Sequence, residues 1–161
     1  MQAKQIHISF QQYDSAGELP RPDAVLLEQA RKATQQSYAP YSRFRVGAAA
    51  LLEGGQVVTG SNQENASFPA GICAERVLLS AMASLHPGEP ILTLAISYLN
   101  EQGDSKAPIT PCGICRQSLS EYESRTGRPI RLVLGGQEGP VWILADADAL
   151  LPLAFGSGDL R

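Results

Sequence analysis

The feature that most constrains this chain is the order in which helical and strand periodicities alternate along it. Between Asp23 and Tyr38, Val25, Leu26, Ala30 and Ala33 recur at helical spacing, with Pro22 and Asp23 suited to begin a helix and Pro40 to end it. "FRVGAAALLE" and "QVVTGSNQEN" follow as two β-rich segments joined by Gly54-Gly55, a pair that suits a hairpin turn. From Cys73 to Leu85, Val77, Leu78, Ala81, Met82 and Leu85 mark one helical face, and "HPGEP" breaks it. "ILTLAISYL" reads as a buried strand. "CGICRQSLSEYES" reads as a third helix that starts near Pro111 and stops at Thr126-Gly127, and "IRLVLGG" and "VWILAD" close the pattern as short strands. The first twenty residues are a weakly strand-like extension, weakly ordered or an edge strand. This order predicts a mixed sheet with helices on its faces: a three-layer α/β/α sandwich, one domain over residues 1–161.

Composition narrows what such a domain does. Residues are 43% hydrophobic and 18% charged, as in an ordinary globular chain. The longest apolar runs, such as "VGAAALL", are far too short to span a bilayer. The opening "MQAKQIHISF" has neither the basic nor the apolar region of a signal peptide, so the cytoplasm is the expected compartment. With 13 Lys and Arg against 16 Asp and Glu, and no basic stripe, a polymeric nucleic acid is not an expected partner. A small nucleic-acid fragment is not excluded by that balance.

The three cysteines carry the chemistry, and each falls at a predicted helix start: Cys73 in "GICAER", Cys112 and Cys115 in "PCGICRQ". A helix N-terminus offers unpaired N–H groups and a positive dipole end, which favour the thiolate that binds metal. A redox Cys-x-x-Cys needs two thiols only and leaves Cys73 unexplained. A structural zinc site closes with four protein ligands, whereas neither His7 nor His86 lies in these motifs. Three protein ligands leave the fourth position of a zinc ion for water, whose pKa falls to about 7 there. Glu75, two residues after Cys73, then stands beside the metal without ligating it and is the natural proton carrier, an arrangement used by zinc deaminases. Taken alone, Glu75 would be an ordinary favourable charge in a first helical turn.

With those residues in view, the chain resembles the small cytidine deaminases over nearly its whole length. The stretches that carry the resemblance are "YAPYSRFRVGAAAL", "GSNQENASFPAGICAER", "PCGICRQ" and "LLPLAFGSGDL", in that order. The resemblance implies hydrolytic deamination of cytidine and 2'-deoxycytidine to the uridines in pyrimidine salvage. It also implies a five-stranded sheet, one zinc per subunit and a homotetramer with its sites at subunit interfaces. Zinc-bound hydroxide would attack C4 while Glu75 shuttles protons. Three thiolates on Zn²⁺ carry a net negative charge that needs an offset, and the resemblance gives Arg76 that role through hydrogen bonds to ligand sulfur.

Substrate recognition is expected at the "SNQENAS" stretch. Asn62 and Glu64 are two apart, hence on one face of a strand, and an amide with a carboxylate suits a sugar hydroxyl. Polar residues at strand ends are common, and the resemblance is what assigns this pair to the ribose 3'-OH. It also places Phe44 against the pyrimidine ring, the Ala74 N–H on the base carbonyl, and Phe155 in the active site of a neighbouring subunit. Phe68 stands where many relatives have Tyr, and the loop "NEQGDSKAP" is longer than the compact form requires. Two other readings share some of these motifs: a deaminase of another aminopyrimidine nucleoside such as blasticidin S, and a zinc-stabilised binding protein without turnover.

Overall fold

Strand β2 (Phe44–Leu52) sets the architecture. Its alternate residues Ala48, Ala50 and Leu52 face one side and Ala49 and Leu51 the other, with little exposed on either. A strand that is apolar on both faces has to be covered on both, and its alanines let the covering helices approach closely. The structure, a computed structural model describing residues 1–160, answers this with three layers. On one face α1 (Arg21–Ala33) packs through Leu26, Leu27 and Ala30 against Ala49, Ala95 and Val133. On the other, α2 (Ala74–Leu85) and α3 (Gly113–Thr126) pack through Leu78, Met82, Leu119 and Tyr122 against Ala48, Ala50, Leu94 and Leu132.

The other strands are β1 (Gln11–Tyr13), β3 (Val57–Ser61), β4 (Ile91–Asn100), β5 (Arg131–Gly135) and β6 (Val141–Leu144), in the order β1-β6-β5-β4-β2-β3. β2 and β3 form the hairpin expected at Gly54-Gly55, with Gly55 at φ 86. β4 and β5 are parallel and joined by the α3 crossover, while the remaining pairs are antiparallel, so the sheet is mixed. Gly127, at φ 68, ends α3 with its N–H on the Glu123 carbonyl, a left-handed stop that only glycine adopts readily.

Two expectations are corrected. The sheet has six strands rather than five, because Gln11–Tyr13 pairs antiparallel with Val141–Ile143. "QQY" has no apolar alternation of its own; the free edge of β6 supplies its hydrogen bonds. Trp142 reinforces the pairing, its Nε1 donating to Gln12 Oε1 at 2.8 Å and its ring lying 5.0 Å from that of Phe10. Also, α1 ends at Ala33 rather than near Tyr38, tightening into a 3-10 turn over Thr34–Gln36. The backbone then has a better partner: Tyr38 exchanges hydrogen bonds with Asn62 and Glu64 beyond the end of β3. Among the described residues no helix is long and apolar enough to cross a membrane.

Candidate active site

The strand directions bring two helix starts together. β3 and β4 both run antiparallel to β2, hence in the same sense, and the helix that follows each begins at the same end of the sheet. Cys73 is the N-cap of α2 and Cys112 the N-cap of α3, while Cys115 lies buried in the first turn of α3. Neither capping side chain bonds the backbone of its own helix, so the thiols are free to face each other. Gly60 seats α2 closely on β3: a Cβ there would lie 2.5 Å from the Ala74 carbonyl oxygen and 2.7 Å from the Leu78 nitrogen.

The Sγ atoms of Cys73 and Cys112 are 3.8 Å apart and those of Cys112 and Cys115 3.5 Å, all three within 4.8 Å of one another. Sulfurs about 2.3 Å from a common tetrahedral zinc are about 3.8 Å apart, so this donor set fits that ion and leaves one position open. The thiols already share protons. A hydrogen bond from Cys115 draws Cys73 down to about 6, with burial opposing and the Arg76 charge assisting. The same bond, with burial, pushes Cys115 up.

Glu75 is only 5% exposed, and burial raises its carboxyl above the ordinary range. It shares a pocket of about 310 Å³ with Cys73, Cys112, Asn62, Glu64 and Phe68. Asn62 and Glu64 lie just past β3, but Gln63 bridges both Tyr38 and Ile72, which keeps the segment extended and the two side chains on one face. Asn62 is heavily engaged: its Oδ1 accepts from the Val46 N–H and the Ser37 hydroxyl, and its Nδ2 donates to the Phe44 carbonyl. One amide N–H remains. Glu64 Oε2 accepts from the Tyr41 and Ser42 N–H groups at 2.9 and 3.3 Å. A hydrogen bond from the Ser42 side chain is the main reason that its carboxyl is held below the usual range.

The other expected residues are less uniformly gathered. Ala74 is buried at the start of α2, where the first helical bond runs from Val77 N to the Cys73 carbonyl and leaves the Ala74 N–H without a helical partner. Phe44 shares the face of the pocket-lining Val46, its ring stacked on Tyr98 with centroids 4.8 Å apart. Arg76 lies in the groove between α2 and α3 and acts on Cys73 through charge rather than a hydrogen bond. Phe155 is outside this pocket and exposed. Phe68, also exposed, meets the Tyr41 ring edge-on.

Two residues without a role in the sequence reading, Arg116 and Gln117, are engaged here. Arg116 bonds the segment before α3 to the Leu150 carbonyl, and Gln117 Nε2 donates to the Phe155 carbonyl at 2.9 Å. Leu150 and Phe155 lie more than thirty residues downstream, and no local pattern announces these two contacts.

Residues 20–127 match the model of the cytidine and deoxycytidylate deaminase zinc-binding region. The chain belongs to this family. A cytidine deaminase from Halalkalibacterium halodurans is 35% identical over 85% of this chain and 96% of its own length. One from Mycobacterium tuberculosis is 38% identical over 84% and 91%. Among solved structures, the cytidine deaminase from Burkholderia pseudomallei superposes with a TM-score of 0.70 at 38% identity, covering 81% of this chain and 97% of its own. The deaminase family region begins at residue 20, so β1 lies before it.

Proposed function

We propose that this protein hydrolyses cytidine and 2'-deoxycytidine to uridine and 2'-deoxyuridine, taking up water and releasing ammonia. The observation that carries the reading is one pocket lined by Cys73 and Cys112 of the three-thiol cluster, by the buried Glu75 and by the Asn62–Glu64 amide-carboxylate pair. Cys73, Cys112 and Cys115 would hold one zinc per subunit, and the bound ion supplies the acidity that makes water a nucleophile at neutral pH. Glu75 is the catalytic residue: it takes a proton from the attacking water and delivers it to N3 of the base, then takes the second proton from the new C4 hydroxyl and delivers it to the departing amine, which leaves as ammonia. Burial suits it to this, because a carboxyl raised above its ordinary range takes up a proton more readily than an exposed one.

In the same pocket, Asn62 offers its remaining amide N–H and Glu64 its unused lone pairs to the ribose 3'-OH. The Ala74 N–H binds the base carbonyl, and Phe44 packs on the pyrimidine. The Arg76 charge offsets the excess negative charge of three thiolates around the ion. Phe155 faces outward because it serves a neighbouring subunit of a homotetramer. A cytoplasmic place in pyrimidine salvage completes the proposal.

The test is ultraviolet absorbance: cytidine incubated with purified protein should lose its signal as uridine forms, with ammonia released in equal amount. Protein that holds zinc yet turns over no cytosine nucleoside would refute the proposal.

A further inference from the structure

Arg116 follows Cys115 directly, and its guanidinium is spent on three neutral acceptors rather than on a carboxylate. Nε donates to the Pro111 carbonyl at 2.8 Å, Nη2 to Thr110 Oγ1 at 2.9 Å and Nη1 to the Leu150 carbonyl at 3.1 Å. Each partner has a place in the site. The Pro111 carbonyl belongs to the peptide plane that also contains the Cys112 nitrogen, so fixing it fixes the direction in which the Cys112 thiol leaves the backbone. Thr110 lines the pocket beside Cys112. Leu150 ends the 3-10 turn Ala147–Leu150, from which the chain continues to Phe155.

Cys112 needs such support. It is exposed, and as N-cap its backbone is held to α3 only through its carbonyl, which accepts from the Arg116 N–H at 2.9 Å, whereas Cys115 is buried inside the first turn. Pro111 has no N–H with which to anchor the turn itself. The planar fork of arginine can reach three divergent acceptors at once, which the single ammonium of lysine cannot do in this geometry.

We propose that Arg116 is a positioning residue that holds the Cys112 turn in its ligating geometry and ties it to the root of the C-terminal segment. This role rests on the zinc reading above. Its consequence is kinetic: without Arg116 the Cys112 arm opens more often, and zinc escapes faster from a protein that is still folded.

The experiment follows zinc release from the loaded protein into excess chelator at 25 °C, with circular dichroism recording that each variant is folded. Arg116→Met removes the charge and keeps the stem; Arg116→Lys keeps the charge and loses the fork; Thr110→Val removes one acceptor at nearly constant volume. Arg131→Met serves as the destabilised control, since it breaks the paired bonds to Asp23 on the opposite face of the sheet. Release should quicken about 10- to 100-fold in Arg116→Met, in line with other residues that hold a ligand in place. It should quicken less in Arg116→Lys and Thr110→Val, and stay unchanged in Arg131→Met. Rates within twofold of wild type in both Arg116 variants would overturn the role, as would equal acceleration in Arg131→Met, which would make it general stability. Should Arg116→Met not fold, Arg116→Lys and Thr110→Val decide by the same criterion. Wild-type protein that takes up no zinc would sink the zinc reading, and this role with it.

Discussion

Burial raises the Glu75 carboxyl, while its place in the first turn of α2 keeps the anion accessible through the helix N-terminus. Glu75→Gln preserves shape and removes the proton carrier, so kcat should fall about 10²- to 10⁴-fold with zinc content unchanged. Glu64→Gln acts differently. It removes a charged acceptor for the sugar, and KM should rise roughly tenfold or more while kcat changes little. A third carboxylate gives a pH signature away from the site. Glu123 is buried and accepts from the Ile130 N–H at 2.6 Å, and burial, aided by the charges of Asp146 and Asp148, raises it to about 7. A carboxyl raised in the folded state binds more protons there than when unfolded. Its contribution is therefore complete below its unfolded value of about 4.5 and is lost as pH rises through about 7. Glu123→Gln should gain melting temperature relative to wild type between pH 5 and pH 8; a constant difference would show that Glu123 does not titrate in that window. The clustering of Cys73, Cys112 and Cys115 with Glu75 beside them was legible in the sequence because cysteines are few and their spacing is local. Asn62 was legible as polar and same-facing with Glu64, but its bonds to Val46, Phe44 and Ser37 arise only once β2, β3 and the end of α1 meet.

At the scale of elements, the helices and central strands followed from periodicity, since each has an apolar face and a chemical stop such as Gly127 or Pro40. β1 was legible only as a weak edge-strand extension without bounds, because a strand made by its neighbour's open edge leaves little trace in its own residues. The early end of α1 has the same kind of cause, a competing hydrogen-bond partner beyond the strand end. The seat of α2 on β3 depends on the missing side chain at residue 60. Gly60→Ala would press a methyl onto helix backbone at 2.5 Å, costing ~1–3 kcal/mol as the helix shifts. That shift moves Cys73 and Glu75 together, so the variant should lose both melting temperature and zinc affinity. Loss of stability with zinc affinity intact would mean that the helix start does not follow the strand.

For the whole molecule, the pocket explains only part of the family pattern. Phe155 is 61% exposed, and its carbonyl is fixed by Gln117, a geometry that presents a ring outward. A chain truncated after Leu153 should therefore bind zinc normally and lose activity, with light scattering reporting whether the assembly survives. Full activity in the truncated protein would show that this ring completes no site. Assembly was not readable from the residues themselves, because exposed apolar groups such as Phe155 look alike whether they meet solvent or another subunit.

The most direct measurement titrates zinc into metal-free protein while following cytidine turnover. The account predicts no activity without metal and a linear rise that breaks at about one zinc per chain. Full turnover by metal-free protein, or zinc bound at that ratio without any turnover, would contradict it.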